Sequence, residues 1–442
     1  MTHRSLSLVF TAAAVSLGAA ALALGPAAHA QSALLTTAQR ASATGAQQYP
    51  RVVLGTNVRS IRILRAGEII RSRPDASAPR RGTATLNALL PAHEAALGPG
   101  CASRWVRVGN NAWLCQANAE PSNLAPSAQT LPPMREGAWL PYDYAFASFS
   151  GVRTYRTQQD ALNEDWAEQL EQSMGVALTG VQRFGGQRWA QTASGRWIAN
   201  NELIPARPSE WQGALIDPSI PSADRVGFSR GRAFLWPSAA QAAVGGRTAP
   251  RESTSARELL VAVETAQVRG RTIWRTPRGW IDPRNVHVSS AAPMPADLRA
   301  NERWVDVDTQ SQVLVAYEGT RPVYFTLVSS GRRGFETRRG EFRAWVKLAT
   351  TDMSNADDPD LDTATRVYSV ERVPWVLFFN RDQALHGVYW HDRFGTMRSH
   401  GCVNLAPKDA RWIFEWAPPV LPAGWEAVFP TDEEPGLRVR VR

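Results

Sequence analysis

Residues His386–Asn404 read HGVYWHDRFGTMRSHGCVN, and they hold three of the chain's seven histidines and the only cysteine of its C-terminal half. A cysteine attacks as its thiolate, so a catalytic one needs a nearby base or positive charge to work against an ordinary pKa of about 8.5. His386, His391 and His400 are the candidates. In Ser399-His400-Gly401-Cys402 the glycine permits a backbone path that a side chain would block, which suits peptide N–H groups aimed at an oxyanion. The residues that follow, Leu405–Phe414, predict a helix with Pro407 in its first turn. Cys402 then lies on a loop entering the positive end of that helix.

At these residues the chain resembles the L,D-transpeptidases, the YkuD-type enzymes that cross-link bacterial peptidoglycan. The resemblance lies in a histidine followed by glycine, a spacer of about a dozen residues, then Ser-His-Gly-Cys-hydrophobic-Asn. Upstream, Val328-Ser329-Ser330-Gly331 and Glu336–Phe342 are similar to the family's glycine-bearing segment and its Thr-Pro-x-Gly-x-Phe turn. Arg338 stands where proline is usual, and Ala406 where a helix-capping serine is common. The similarity covers residues 301–430 and implies a β-rich catalytic domain with a helix after the cysteine, leaving 431–442 as a tail.

The resemblance implies roles residue by residue. Cys402 is the nucleophile and His386 the base, its ring oriented by the carbonyl of Gly387. Backbone N–H groups of His400, Gly401 and Cys402 hold the oxyanion, Ser399 and Asn404 fix the loop, and His400 supports the geometry. Tyr389 and Trp390 are candidates for the substrate groove or for packing under the loop, while His391 is expected as an exposed loop residue. A zinc site built from His386, His400 and Cys402 would have three ligands and no second cysteine, a poor structural set. No metal and no cofactor is expected. In papain-like wall peptidases, which also carry small β-barrels, the cysteine precedes the histidine; here His386 comes first. A non-enzymatic wall-binding scaffold is the other rival.

The first thirty residues read as an export signal. Arg4 is their only charge, an apolar run extends from Leu6 to Leu24, and Ala28-His29-Ala30 places cleavage after Ala30. The alternative is an uncleaved anchor; no later segment approaches a spanning length. The expected location is the periplasm or cell envelope. Cysteine usage agrees: Cys101 and Cys115 are close enough to pair, for about 3 kcal/mol, and Cys402 is left as a free thiol.

The formal charge is +9 and almost wholly arginine, since Lys347 and Lys408 are the only lysines. That balance suits a polyanionic surface, which for an exported chain means cell wall or membrane rather than nucleic acid. At 442 residues several domains are expected. Residues 31–51, rich in Ala, Ser, Thr and Gln, read as a flexible lead. Three Trp-turn-Trp hairpin patterns follow, at Trp105 to Trp113, Trp189 to Trp197 and Trp274 to Trp280, about 85 residues apart. They are similar to bacterial Src-homology-type small β-barrels, which implies modules at 52–125, 140–206 and 225–290 that hold peptidoglycan. Most of these tryptophans read as barrel core. Asp160–Met174 predicts an amphipathic helix, stretches 120–134 and 205–223 predict linkers, and acidic Asp352–Asp362 predicts a loop beside the site.

Overall fold

The computed structural model describes residues 49–220, 222–245, 252–290, 292–354 and 368–442. The expected export signal, the flexible lead up to residue 48 and most of the acidic loop lie outside the described residues. The chain is mainly β, and it divides into two units. One holds Leu86–Pro126 with the described residues up to Arg80; the other holds Arg81–Thr85 and Ser127–Arg442. No helix among the described residues is long and apolar enough to cross a membrane.

In the smaller unit, Ser60–Ile63 pairs with Leu89–Pro91 and with Ala119–Ser122. The hairpin Trp105–Gly109/Ala112–Cys115 precedes a single 3-10 turn, Gln116–Asn118. Cys101 and Cys115 form a disulfide with Cα atoms 5.6 Å apart. The same order recurs twice in the larger unit. Asp143–Ala147 pairs with Leu203–Pro205, reached through the hairpin Gln187–Thr192/Trp197–Ala199 and the turn Asn200–Glu202. Val226–Ser229 pairs with Val286–Val288, reached through Arg271–Thr276/Gly279–Ile281 and Pro283–Asn285. The first tryptophan of each hairpin, Trp105, Trp189 and Trp274, is buried.

Three sequence expectations are corrected here. The helix expected over Asp160–Met174 is only Gln158–Asn163, closed by a Thr157/Asp160 capping box and ended by Glu164 at φ 56°. Its apolar repeat has no face to cover, because Leu162 is 50% and Trp166 46% exposed, and Glu168–Leu170 instead pairs with Val152–Thr154. The expected linker 205–223 carries a strand, Ala214–Leu215, on the edge of the C-terminal sheet, with Ile216 buried and Trp211 packed beside the same core. The expected tail contains Arg438–Val441, which pairs in parallel with Arg303–Asp308 and antiparallel with Gly340–Arg343. Leu437, Val439 and Val441 alternate into the core, and Arg440 and Arg442 both reach the buried carboxylate of Asp306.

The C-terminal part is built from two sheets. The first has the order Ala214–Leu215, Arg321–Leu327, Val313–Glu318, Arg303–Asp308, Arg438–Val441, Gly340–Arg343. In the second, Val346–Ser354 pairs with Ser369–Asn380, which pairs with Gln383–Gly387, and that strand pairs in parallel with Val403–Leu405. Pro374 does not divide the long strand Ser369–Asn380; Arg372 at φ 48° and Trp375 at φ 56° flank it in the left-handed region.

The helix Pro407–Trp416 buries Pro407, Ala410, Ile413 and Phe414, a three-to-four-residue stripe. Ala406 gives it no side-chain cap, but Asp409 in its first turn compensates. That fully buried carboxylate accepts from Gly213 N at 2.8 Å, the Tyr324 hydroxyl at 2.6 Å and the Thr326 hydroxyl at 2.5 Å, and burial pushes its pKa up to about 6. At the other end the Lys347 ammonium donates to the carbonyls of Ala417 and Pro419. Asp409→Ala strands three buried donors, and the expected loss is about 3–5 kcal/mol in urea unfolding, with Asp409→Asn losing less.

Candidate active site

The short parallel pairing of Gln383–Gly387 with Val403–Leu405 assembles the site. Its register sets Leu385 against Val403 and His386 against Asn404. Cys402 immediately precedes the strand Val403–Leu405, one residue before the Leu385–Val403 pair. His386 is 2% and Cys402 8% exposed. His386 Nδ1 lies 3.1 Å from the carbonyl of its neighbour Gly387, which fixes the proton on Nδ1 and leaves Nε2 as the acceptor. Gly387 itself is needed because a Cβ there would meet Ala410 of the helix at 3.2 Å.

Burial sets the protonation states. It pushes the Cys402 thiol up to about 12 and the His386 imidazole down to about 4, so both rest neutral at physiological pH. The thiol donates to the Asp382 carbonyl at 3.7 Å, while the Ala384 N–H points at the sulfur and works in the opposite direction, favouring thiolate. A neutral thiol that meets an imidazole with an accepting nitrogen can pass one proton and become nucleophilic without a standing ion pair.

The Ser399–Cys402 turn is held from within. Ser399 Oγ donates to the Cys402 carbonyl and accepts from Gly401 N at 3.2 Å. Gly401 N–H is therefore engaged, which corrects the expectation of three oxyanion donors; the N–H groups of His400 and Cys402 have no acceptor among the described residues. Gly401 sits at φ 120°, and a Cβ there would meet Gln383 Nε2 at 2.9 Å. Gln383 also accepts from Arg338 N at 3.0 Å, a bond that a proline at 338 could not donate. His400 Nε2 accepts from Arg332 at 2.9 Å, its ring meeting Phe335 edge-on and stacking on Tyr368; burial and then Arg332 hold it down to about 4.

Two expectations fail on geometry. Tyr389 is fully buried, stacked on Tyr144 at 3.8 Å with its hydroxyl donating to the Glu371 carbonyl, so it packs the core and does not line a groove. Half-buried Trp390 stays beside the site, its ring 5.9 Å from His386. His391 is not exposed: it lies 3.1 Å from the Asn404 amide, and burial holds its pKa down to about 4. Its Nδ1 accepts from Arg393 N at 3.2 Å, so Nε2 carries the proton. The Asn404 oxygen, otherwise without a partner, is satisfied when that oxygen faces His391 Nε2–H.

The sequence also gave no hint of what holds the loop around His391. Asp392 accepts from Ser209 Oγ and from Arg257 Nη1, the latter at 2.6 Å, and Arg257 also reaches the Asp392 carbonyl. Gly395 lies against His287, where a Cβ would come within 2.7 Å of Nε2. Among the described residues no group of three or more His, Cys, Asp or Glu is placed to hold a metal ion.

The model of the YkuD family, the L,D-transpeptidase catalytic domain, matches residues 302–439. This segment is similar to the YkuD-type catalytic domains. The match runs past residue 430 and takes in the first half of the strand Arg438–Val441. A putative L,D-transpeptidase, YciB of Bacillus subtilis (strain 168), is 25% identical over 136 residues, 28% of this chain and 64% of that protein. The chain thus spans just under two thirds of the length of that curated relative. Among solved structures, an L,D-transpeptidase from Stackebrandtia nassauensis is 24% identical, over 33% of this chain and 57% of that one, with a TM-score of 0.22. An L,D-transpeptidase from Mycobacterium smegmatis is 15% identical, over 60% of this chain and 99% of that one, with a TM-score of 0.25.

Proposed function

We propose that the protein is an exported, cysteine-dependent peptidoglycan L,D-transpeptidase. The observation that carries this reading is the pairing of the strand bearing His386 with the strand that directly follows Cys402, with His386 Nδ1–H held by Gly387 and Nε2 left to accept. Cys402 Sγ attacks the carbonyl of the third stem residue, and His386 Nε2 takes the thiol proton as the C–S bond forms. The N–H groups of His400 and Cys402 hold the oxyanion. Collapse breaks the C–N bond; His386 returns the proton to the nitrogen, and D-alanine leaves a thioester. The amine of a neighbouring stem then attacks that thioester, His386 takes its proton, and the thiol is restored with a cross-link between third residues. Water as acceptor makes the same enzyme a carboxypeptidase.

The three upstream modules, 52–125, 140–206 and 225–290, hold the enzyme on the wall in this reading, which agrees with the arginine-rich composition. The test is mass spectrometry of the mature protein incubated with disaccharide-tetrapeptide. A cross-linked dimer one D-alanine lighter supports transpeptidation; tripeptide alone supports the carboxypeptidase; unchanged substrate overturns both.

Arg257 gives a further check. Its partner Asp392 is half-exposed, so Arg257→Ala should cost under about 1 kcal/mol of stability. The same change loosens the loop bearing His391, and misplacement near a reacting centre lowers turnover by about ten- to hundredfold. Thermal melting beside steady-state rates separates the two effects, with Arg257→Lys expected to recover part of the rate.

A further inference from the structure

A cavity of about 540 Å³ lies in the C-terminal part, and the reaction proposed above uses none of its lining residues. Its wall includes Asp297, Arg299, Glu302, Arg343, Trp345 and Asp432. Trp345 is 46% exposed, an indole left facing solvent in a chain that buries the first tryptophan of each hairpin. The ring rests on Phe378 and its Nε1–H donates to the Arg381 carbonyl at 3.2 Å. The next carbonyl along, that of Asp382, is the one that accepts the Cys402 thiol. Arg381-Asp382 is the two-residue turn between the strands Ser369–Asn380 and Gln383–Gly387. One tight turn therefore joins the cavity wall to the cysteine.

The charges in this wall are matched internally. Arg343 donates to Glu302 at 2.6 Å and to the Gly436 carbonyl at 3.0 Å, and Asp297 is paired with Arg438. Arg299 and Asp432 add one charge of each sign. A strongly ionic ligand gains little from a wall so neutralised, whereas a ligand rich in hydroxyl and amide groups finds donors and acceptors of both kinds. The exposed indole supplies an apolar platform for one face of such a ligand. The volume falls within the range of about 300–1,000 Å³ typical of small-molecule sites. Polar edges and an apolar ring face together describe a pyranose.

We propose that this cavity is a saccharide subsite, with Trp345 as its stacking platform, that takes the glycan bearing the stem peptide presented to Cys402. The proposal rests on the transpeptidase reading and names where its substrate's sugar is held.

The test uses the full-length mature chain and peptide-free chitotetraose as the probe, followed by calorimetry. Chitotetraose should bind the wild type, and Trp345→Ala should weaken binding by about tenfold or more, the size expected for losing one aromatic contact. In parallel, the ratio of kcat/KM for disaccharide-tetrapeptide over free tetrapeptide should fall in Trp345→Ala. It should also fall in Asp432→Asn, whose exposed side chain makes it a safe second variant should Trp345→Ala fold poorly. Binding that is absent, or equal in wild type and Trp345→Ala, overturns the subsite while turnover of both peptides leaves the transpeptidase reading standing. Trp345-dependent binding with no turnover of either peptide overturns that reading and keeps the sugar site.

Discussion

Cys402→Ala is expected to abolish both release of D-alanine from stem tetrapeptide and formation of the cross-linked dimer, a loss on the order of 10⁶ in turnover. The thioester is the only route by which the geometry couples cleavage to transfer, and alanine cannot form it. Cys402 is the free cysteine among the described residues, since Cys101 and Cys115 are joined. Alanine removes a small buried group and one long hydrogen bond to Asp382, so melting should change by about 1 kcal/mol or less. Intact protein mass spectrometry reads the chemistry directly: wild type gains the mass of an acylating tripeptide, and the variant gains none. Residual D-alanine release from the folded variant would mean that another group carries the reaction.

The candidate site was legible because its parts lie within nineteen consecutive residues, His386–Asn404, and a short stretch needs few long-range contacts to be interpreted. Pro407 announced the helix for a local reason, its fixed φ. The Trp-turn-Trp hairpins were likewise local. What stayed hidden depends on partners distant in sequence. Ala214–Leu215 is a strand only because Tyr324 and Phe325 stand beside it, and Pro and Ser around it concealed that. Asp392 is held by Ser209 and Arg257, more than a hundred residues away in sequence. Tyr389 was a candidate for the groove wall or for packing under the loop, and its partner Tyr144, far away in the sequence, decides for packing. The tail is the instructive error: Leu437, Val439 and Val441 alternate plainly, but the arginines among them masked a strand whose charges are met by Asp297 at Arg438 and by Asp306 at Arg440 and Arg442.

His386→Gln should lower turnover by about 10²–10⁴ and change the shape of the pH profile. In the wild type the imidazole is held down to about 4 and the thiol up to about 12, both by burial, so neither changes its protonation between these values. The rate should therefore be flat from about pH 5.5 to 8.5 and fall on the acid side as His386 protonates and can no longer accept the thiol proton. Stability moves the same way. His386, His391 and His400 are all depressed to about 4, so below the ordinary value of 6.5 the unfolded chain binds protons first and stability falls as the pH drops. Circular dichroism must accompany the rates so that the acid limb is read on folded protein. Glutamine offers no base, so in His386→Gln the thiolate has to come from bulk deprotonation of a thiol near 12, and the rate should climb about tenfold per pH unit across neutrality. A flat wild-type profile beside a rising variant profile identifies His386 as the base. A wild-type rate that itself rises tenfold per unit between pH 6 and 9 would mean that Cys402 ionises before attack and that His386 serves only to shape the site.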